Sequence, residues 1–231
     1  MPRAMGGRSR HPSASRDRKP RVKHLALCLA LLGLTAATPP DSTPHLLQGA
    51  RHFREGRFSN ALVEFKVAQR LGTEGEADWY VAASLVKLGR SEEALEAFAA
   101  AQKRAPDARD ALLDYYHALA CYDVKLYLCA DTLLEAVGDA SGPRVGEQVR
   151  KLRADISALF RSAPAPSSID WYHARATQAR ATGHQVLAAR FLEEAVRLAG
   201  RREDRYRLAE ARASLGALSE LPAPLVGGGA P

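Results

Sequence analysis

Long apolar runs are scarce in this 231-residue chain. The main one, Leu25-Ala26-Leu27-Cys28-Leu29-Ala30-Leu31-Leu32-Gly33-Leu34-Thr35-Ala36-Ala37, carries no charge over thirteen residues. A helix that spans a bilayer needs about 20. Thirteen instead fits the apolar core of a secretory signal. Arg3, Arg8, Arg10, Arg16, Arg18, Lys19, Arg21 and Lys23 precede it, and Thr35-Ala36-Ala37 supplies small residues for cleavage. We expect residues 1–37 to be a signal peptide cut after Ala37, and Pro39-Pro40 to end any helix there. The mature protein would then be periplasmic. The alternative keeps residues 25–37 as an uncleaved inner-membrane anchor, which is the sole membrane contact the sequence offers.

Net charge is also missing where a nucleic-acid binder would need it. The formal charge of +7 is accounted for by residues 1–24, leaving 25 basic and 25 acidic residues in the rest. A neutral folded part has no surplus for a phosphate-binding face, so no nucleic-acid partner is expected. Period-two runs of Val, Ile and Thr are absent, so strands are not expected. Phosphate-loop and dinucleotide glycine patterns are absent, as are His-Glu-x-x-His and Gly-x-Ser-x-Gly. His45 and His52 lie seven apart on one predicted helix face, the nearest approach to a metal spacing, and a solvated face is the simpler reading. Cys129 with His117 could imitate a nucleophile and its base, but no third group orients them. The sequence therefore predicts no enzyme, metal, cofactor or small-molecule substrate. Beyond Cys28, the cysteines are Cys121 and Cys129. They make one candidate disulfide in an exported protein, or two small buried residues.

What the chain does hold is Ala, Leu, Glu and Arg, all helix formers. Proline and glycine cut residues 42–220 into about ten helical segments. Thr43-Pro44 opens the first. Ser91 opens the fourth, with Glu92 and Glu93 at the positive end of its dipole. The others start near 59, 76, 107, 124, 143, 169, 185 and 203. Residues 162–168 read as a linker and 221–231 as a disordered tail.

These segments repeat. Gly56, Ala61, Phe65 and Ala68 stand at offsets 0, 5, 9 and 12; Gly89, Ala94, Phe98 and Ala101 repeat them, and so do Gly183, Ala188, Leu192 and Ala195. A glycine lets the chain turn between antiparallel helices. The first alanine sits where the helices cross, and the larger residue fills the space between hairpins. A helix–turn–helix unit of 33–34 residues resembles the tetratricopeptide family. Gly56-Arg-Phe-Ser-Asn-Ala61, Gly89-Arg-Ser-Glu-Glu-Ala94, Asp78-Trp79-Tyr80 and Pro106 carry the resemblance.

The expected fold is all-α, a right-handed solenoid of about ten helices. Its N-terminal array covers 42–161, with repeats at 42–74 and 75–108, a degenerate one at 109–142 and a capping helix at 143–161. A C-terminal hairpin with its own capping helix covers 169–220. In the degenerate repeat, Cys121-Tyr122-Asp123 reads as a turn without glycine, and the helix after it cannot be placed in register. The resemblance implies a concave groove lined by the first helices. Phe53, Arg54, Trp79, Lys87, Asp110, His117, His173 and Arg180 are its candidate lining. It also implies a non-catalytic scaffold that binds a protein partner of a bacterial envelope assembly; the alternatives are a membrane-anchored adaptor and an accessory domain of an enzyme complex.

Overall fold

The computed structural model describes residues 42–72, 75–108, 110–138, 142–162 and 168–219. The expected signal segment 1–37, linker residues 163–167 and the tail 221–231 lie outside the described residues. Ten α-helices and one 3-10 turn (Pro106–Ala108) account for nearly all the described residues, and no strand occurs among them. They are α1 (Thr43–Arg54), α2 (Phe58–Arg70), α3 (Glu76–Lys87), α4 (Ser91–Arg104), α5 (Ala111–Asp123), α6 (Tyr127–Val137), α7 (Gly142–Ser162), α8 (Ile169–Ala181), α9 (Gln185–Arg201) and α10 (Arg205–Ser219). None is long and apolar enough to cross a membrane.

Local chemistry sets the ends. Pro44 lies in the first turn of α1, where its missing N–H costs nothing. Asp110 caps α5 by accepting the Leu113 N–H at 2.8 Å, and Ser168 caps α8 by accepting the Trp171 N–H at 3.1 Å. Five helices end alike. The N–H groups of Arg57, Arg90, Leu126, His184 and Asp204 bond back to the carbonyls of His52, Leu85, Cys121, Ala179 and Ala199 at 2.8–3.1 Å. Each bond satisfies an orphan carbonyl of the last turn and needs a left-handed residue just before the donor. Gly56, Gly89 and Gly183 supply it at φ 77°, 72° and 83°. At the other two turns Lys125 and Glu203 adopt φ 68° and 57°.

Lys125 corrects the reading of the third hairpin. Helix α5 runs through Cys121-Tyr122-Asp123, and the turn comes after it. Counted from Lys125, the residues Ala130, Leu134 and Val137 fall at offsets 5, 9 and 12. They are 0%, 0% and 2% exposed, matching Ala61, Phe65 and Ala68 at 0% each. The wider spacing is spread out: α4 has 14 residues against 13 in α2, and α5 has 13 against 12 in α3.

Helices α1 to α6 pack as three successive hairpins, with α2 on α3, α4 on α5, and α3 on α5. Burial of Phe65, Phe98, Leu95, Leu113 and Leu134 holds the row together, at about 1.5–3 kcal/mol for each large side chain. Gly49 on α1 lets α2 come close, because a Cβ there would stand 2.7 Å from the Phe65 ring. Helix α7 packs on α6 and α5. The C-terminal hairpin does not extend the row. Its second helix, α9, packs on α4 and α6, the second helices of the second and third hairpins, and α10 packs on α9.

Candidate functional site

The first helices of the three hairpins put one position in common register. Leu47, Tyr80 and Tyr116 each stand nine residues before their turn residue, Gly56, Gly89 or Lys125. Leu47 is 65% exposed, and the two tyrosines are half-buried. Phe53, near the end of α1, reaches across α3. Its ring meets Tyr80 at 6.0 Å and Tyr116 at 5.6 Å, both edge-on, and Phe58 at 5.3 Å. Tyr80 stacks on buried Phe65 at 5.0 Å, which ties the cluster to the core. Tyr115 adds a fifth half-buried ring at 5.9 Å from Tyr116.

Two exposed cations border these rings. Lys87 is two residues before Gly89, and its Nζ lies 5.2 Å from the Phe58 centroid and 5.9 Å from that of Tyr116. Arg54 is two residues before Gly56 and is exposed. Burial raises the pKa of Tyr80, Tyr115 and Tyr116, and the carboxylates of Asp110 and Glu76 raise Tyr80 further. The three phenols therefore stay neutral and serve as donors or acceptors on an otherwise apolar face.

Of the eight residues expected to line a groove, Phe53 and Lys87 belong to this cluster, and Arg54 is on the same helix end as Phe53. Asp110 caps α5 and lies near Tyr80. Trp79 and His117 are core residues instead, at 1% and 6% exposure. The Trp79 indole donates to the Ala105 carbonyl at 2.9 Å, and the His117 ring stacks on Phe98 at 4.6 Å. His173 and Arg180 lie on α8 with a different hairpin. Arg180 is exposed, and the His173 Nε2 is buried with no hydrogen-bond partner among the described residues. Tyr80 and Tyr116 are not among the eight. Each neighbours one of them, Trp79 or His117, and one step along a helix turns a side chain by about 100°. Counting nine back from the turn residue is the signal that finds them, once Lys125 is known to be one.

A second polar centre lies where α9 meets α6. Glu194, 1% exposed, accepts the N–H of Leu128 at 2.5 Å and of Cys129 at 2.9 Å. These are orphan donors at the start of α6, so a carboxylate from another hairpin caps that helix. Burial pushes the Glu194 carboxyl up to about 6, against the pull of those two N–H groups and of Arg197. Arg197 stands 3.6 Å away. Beside them, the sulfurs of Cys121 and Cys129 are 2.9 Å apart as thiols. Burial raises Cys121, and the hydrogen bond from Cys121 lowers Cys129.

The seam has an outer part too. The Tyr172 hydroxyl donates to the Lys125 carbonyl at 2.7 Å, Arg175 pairs with Glu92, and His184 lies 3.3 Å from Glu96. A cleft of about 200 Å³ lined by Glu92, Arg175, Gln178, Thr182 and His184 opens between these groups. Among the described residues no group of three or more His, Cys, Asp or Glu side chains is placed to hold a metal ion. No family model matches the chain, and no curated protein matches it.

Proposed function

We propose that this chain is a non-catalytic protein-binding module of the bacterial envelope, built as a tetratricopeptide-like array. Its partner is a peptide or helix laid across the first helices. The observation that carries the reading is the row Leu47, Tyr80 and Tyr116 with Phe53 across it. Half-buried aromatic rings on a rigid face give large contact area at low entropic cost. A face shared by three parallel helices suits an extended or helical segment. Arg54 and Lys87 favour a segment with acidic side chains. The periplasmic placement rests on the basic and apolar leader, and removal of residues 1–37 would be visible in the intact mass of protein from the native host.

The binding reading is tested with the full chain, tagged at its C-terminus, in the native host. Chemical crosslinking and capture are run on wild type, on an Arg54→Glu, Lys87→Glu double variant, and on Glu135→Lys. All three positions are exposed, so folding is preserved. The expected result is a discrete protein captured by wild type and by Glu135→Lys but lost from the double variant. The same set from all three would sink the proposed surface.

A further inference from the structure

The cysteine pair is needed by neither the repeat nor the aromatic face. Cys121 and Cys129 stand four residues before and four after the turn residue Lys125. The same two positions hold His52 and Asn60 in the first hairpin, Leu85 and Glu93 in the second, and Ala179 and Leu187 in the C-terminal one. Such variety means that the turn makes no demand for cysteine. Only the third hairpin brings two thiols into contact across its helices, at 2.9 Å. It is also the hairpin on which α9 seats, through Glu194 and the N–H of Cys129 itself.

The geometry points to Cys121 and Cys129 as an oxidisable pair: an external disulfide-bearing oxidant converts the two thiols into a bond joining α5 to α6 beneath the seat of α9. Bonded sulfurs lie about 2.05 Å apart, so the helices need hardly move. The reaction is thiol–disulfide exchange in two steps. The Cys129 thiolate attacks one sulfur of the oxidant, forming a mixed disulfide and releasing the other half as a thiolate. The Cys121 thiolate then attacks the Cys129 sulfur, closes the internal bond and releases the second half. Two protons leave the protein, and the two electrons end on the reduced oxidant. Cys129 attacks first for three reasons. It is 6% exposed while Cys121 is 0% exposed. It is the third residue of α6, where the helix dipole favours an anion. Arg197 and Arg190 add positive potential there, and Glu194 opposes them.

The test uses the full chain carrying Cys28→Ser, so that these two are its only cysteines. Reduced protein is incubated with oxidised glutathione, desalted, and then alkylated in denaturant. The expected product has lost both alkylatable thiols and weighs two hydrogen atoms less than the reduced chain. Its thermal midpoint rises by about 5–10 °C, as expected for closing a short loop in a domain of this size. A dithiol reductant reverses both changes. Two thiols still open to alkylation, a persistent glutathione adduct on the intact pair, or a chain-to-chain disulfide would each overturn the proposal. In the same background Cys121→Ser should hold a stable glutathione adduct on Cys129, and Cys129→Ser should take up little. An adduct formed as fast on Cys121 would overturn the assignment of Cys129 as the attacking thiol.

Discussion

The hairpins α3–α4 and α8–α9 share the same turn and the same buried landmarks, yet they join the molecule differently. Hairpin α3–α4 sits in a row. Its neighbours meet it mostly through apolar side chains; in addition Ser91 donates to Asp123 of α5, and its one buried carboxylate, Asp78, is met by Gln69 of α2 and Arg104 of α4. Hairpin α8–α9 leaves the row and lies against the second helices α4 and α6. Much of what fixes it there is polar: Glu194 on the α6 amides, Tyr172 on the Lys125 carbonyl, Arg175 on Glu92. The repeat therefore specifies the hairpin, and residues outside the repeat specify where the hairpin goes. An apolar seam tolerates exchange of similar volumes. A polar seam fails when one partner is removed, because the other is left buried and unpaired.

The largest expected effect is on the polar seam. Glu194→Ala strands two buried N–H groups and opens a void, which should cost about 3–4 kcal/mol. Urea unfolding with α8–α9 proteolysis as a second probe checks it: the hairpin should become cleavable before the row unfolds. Loss of both together would mean that the seam is not a separate weak point. On the apolar side, Gly49→Ala drives a methyl into the Phe65 ring, at about 2–3 kcal/mol. Here unfolding should stay a single transition, since the damage lies inside the row.

The seam should also answer to pH. The Glu194 carboxyl is raised to about 6 in the fold from its ordinary value of 4.5. The folded state thus binds the extra proton between those values. This contribution is fully present below about pH 4.5 and is lost as pH rises through about 6, a fall of about 2 kcal/mol. Glu194→Gln cannot ionise and should flatten the stability profile across that window, as read from unfolding midpoints at several pH values. A profile unchanged by the substitution would remove Glu194 from the account. The smallest effects belong to the turns. Gly89→Ala at φ 72° should cost about 1 kcal/mol. Lys125→Gly should gain about 0.5 kcal/mol from relieved strain, set against greater freedom in the unfolded chain and loss of the Lys125 contact with the Trp171 ring. Thermal midpoints of the two variants should move in opposite directions.

Helix positions were legible because glycine, proline and capping residues announce them. Pro44, Ser91, Gly56, Gly89 and Gly183 mark ends that agree with the structure within a residue or two. The turn at Lys125 was not legible. Lysine at positive φ leaves no trace in composition, and the hydrogen bond that holds it joins Leu126 to Cys121 only after the helices have packed. The same gap misplaced the surface. Without that turn residue α5 has no register, and the sequence points to His117 in place of its neighbour Tyr116. It points to Trp79 in place of Tyr80 because tryptophan suggests a contact, whereas its indole is spent on the Ala105 carbonyl. The seat of α9 was invisible as well. Glu194 falls between Phe191 and Leu198 on the apolar stripe of α9 while Glu193 falls between Arg190 and Arg197, but a carboxylate on that stripe gives no sign of the α6 amides it meets.

The most direct test of the binding account is site-specific photocrosslinking in the native host. A photoreactive residue replaces Leu47, 65% exposed, in one strain and Glu135 in another. The expected result is a single discrete protein adduct from position 47 after irradiation, and none from position 135. Equal adducts from both positions, or none from position 47, would contradict the binding surface.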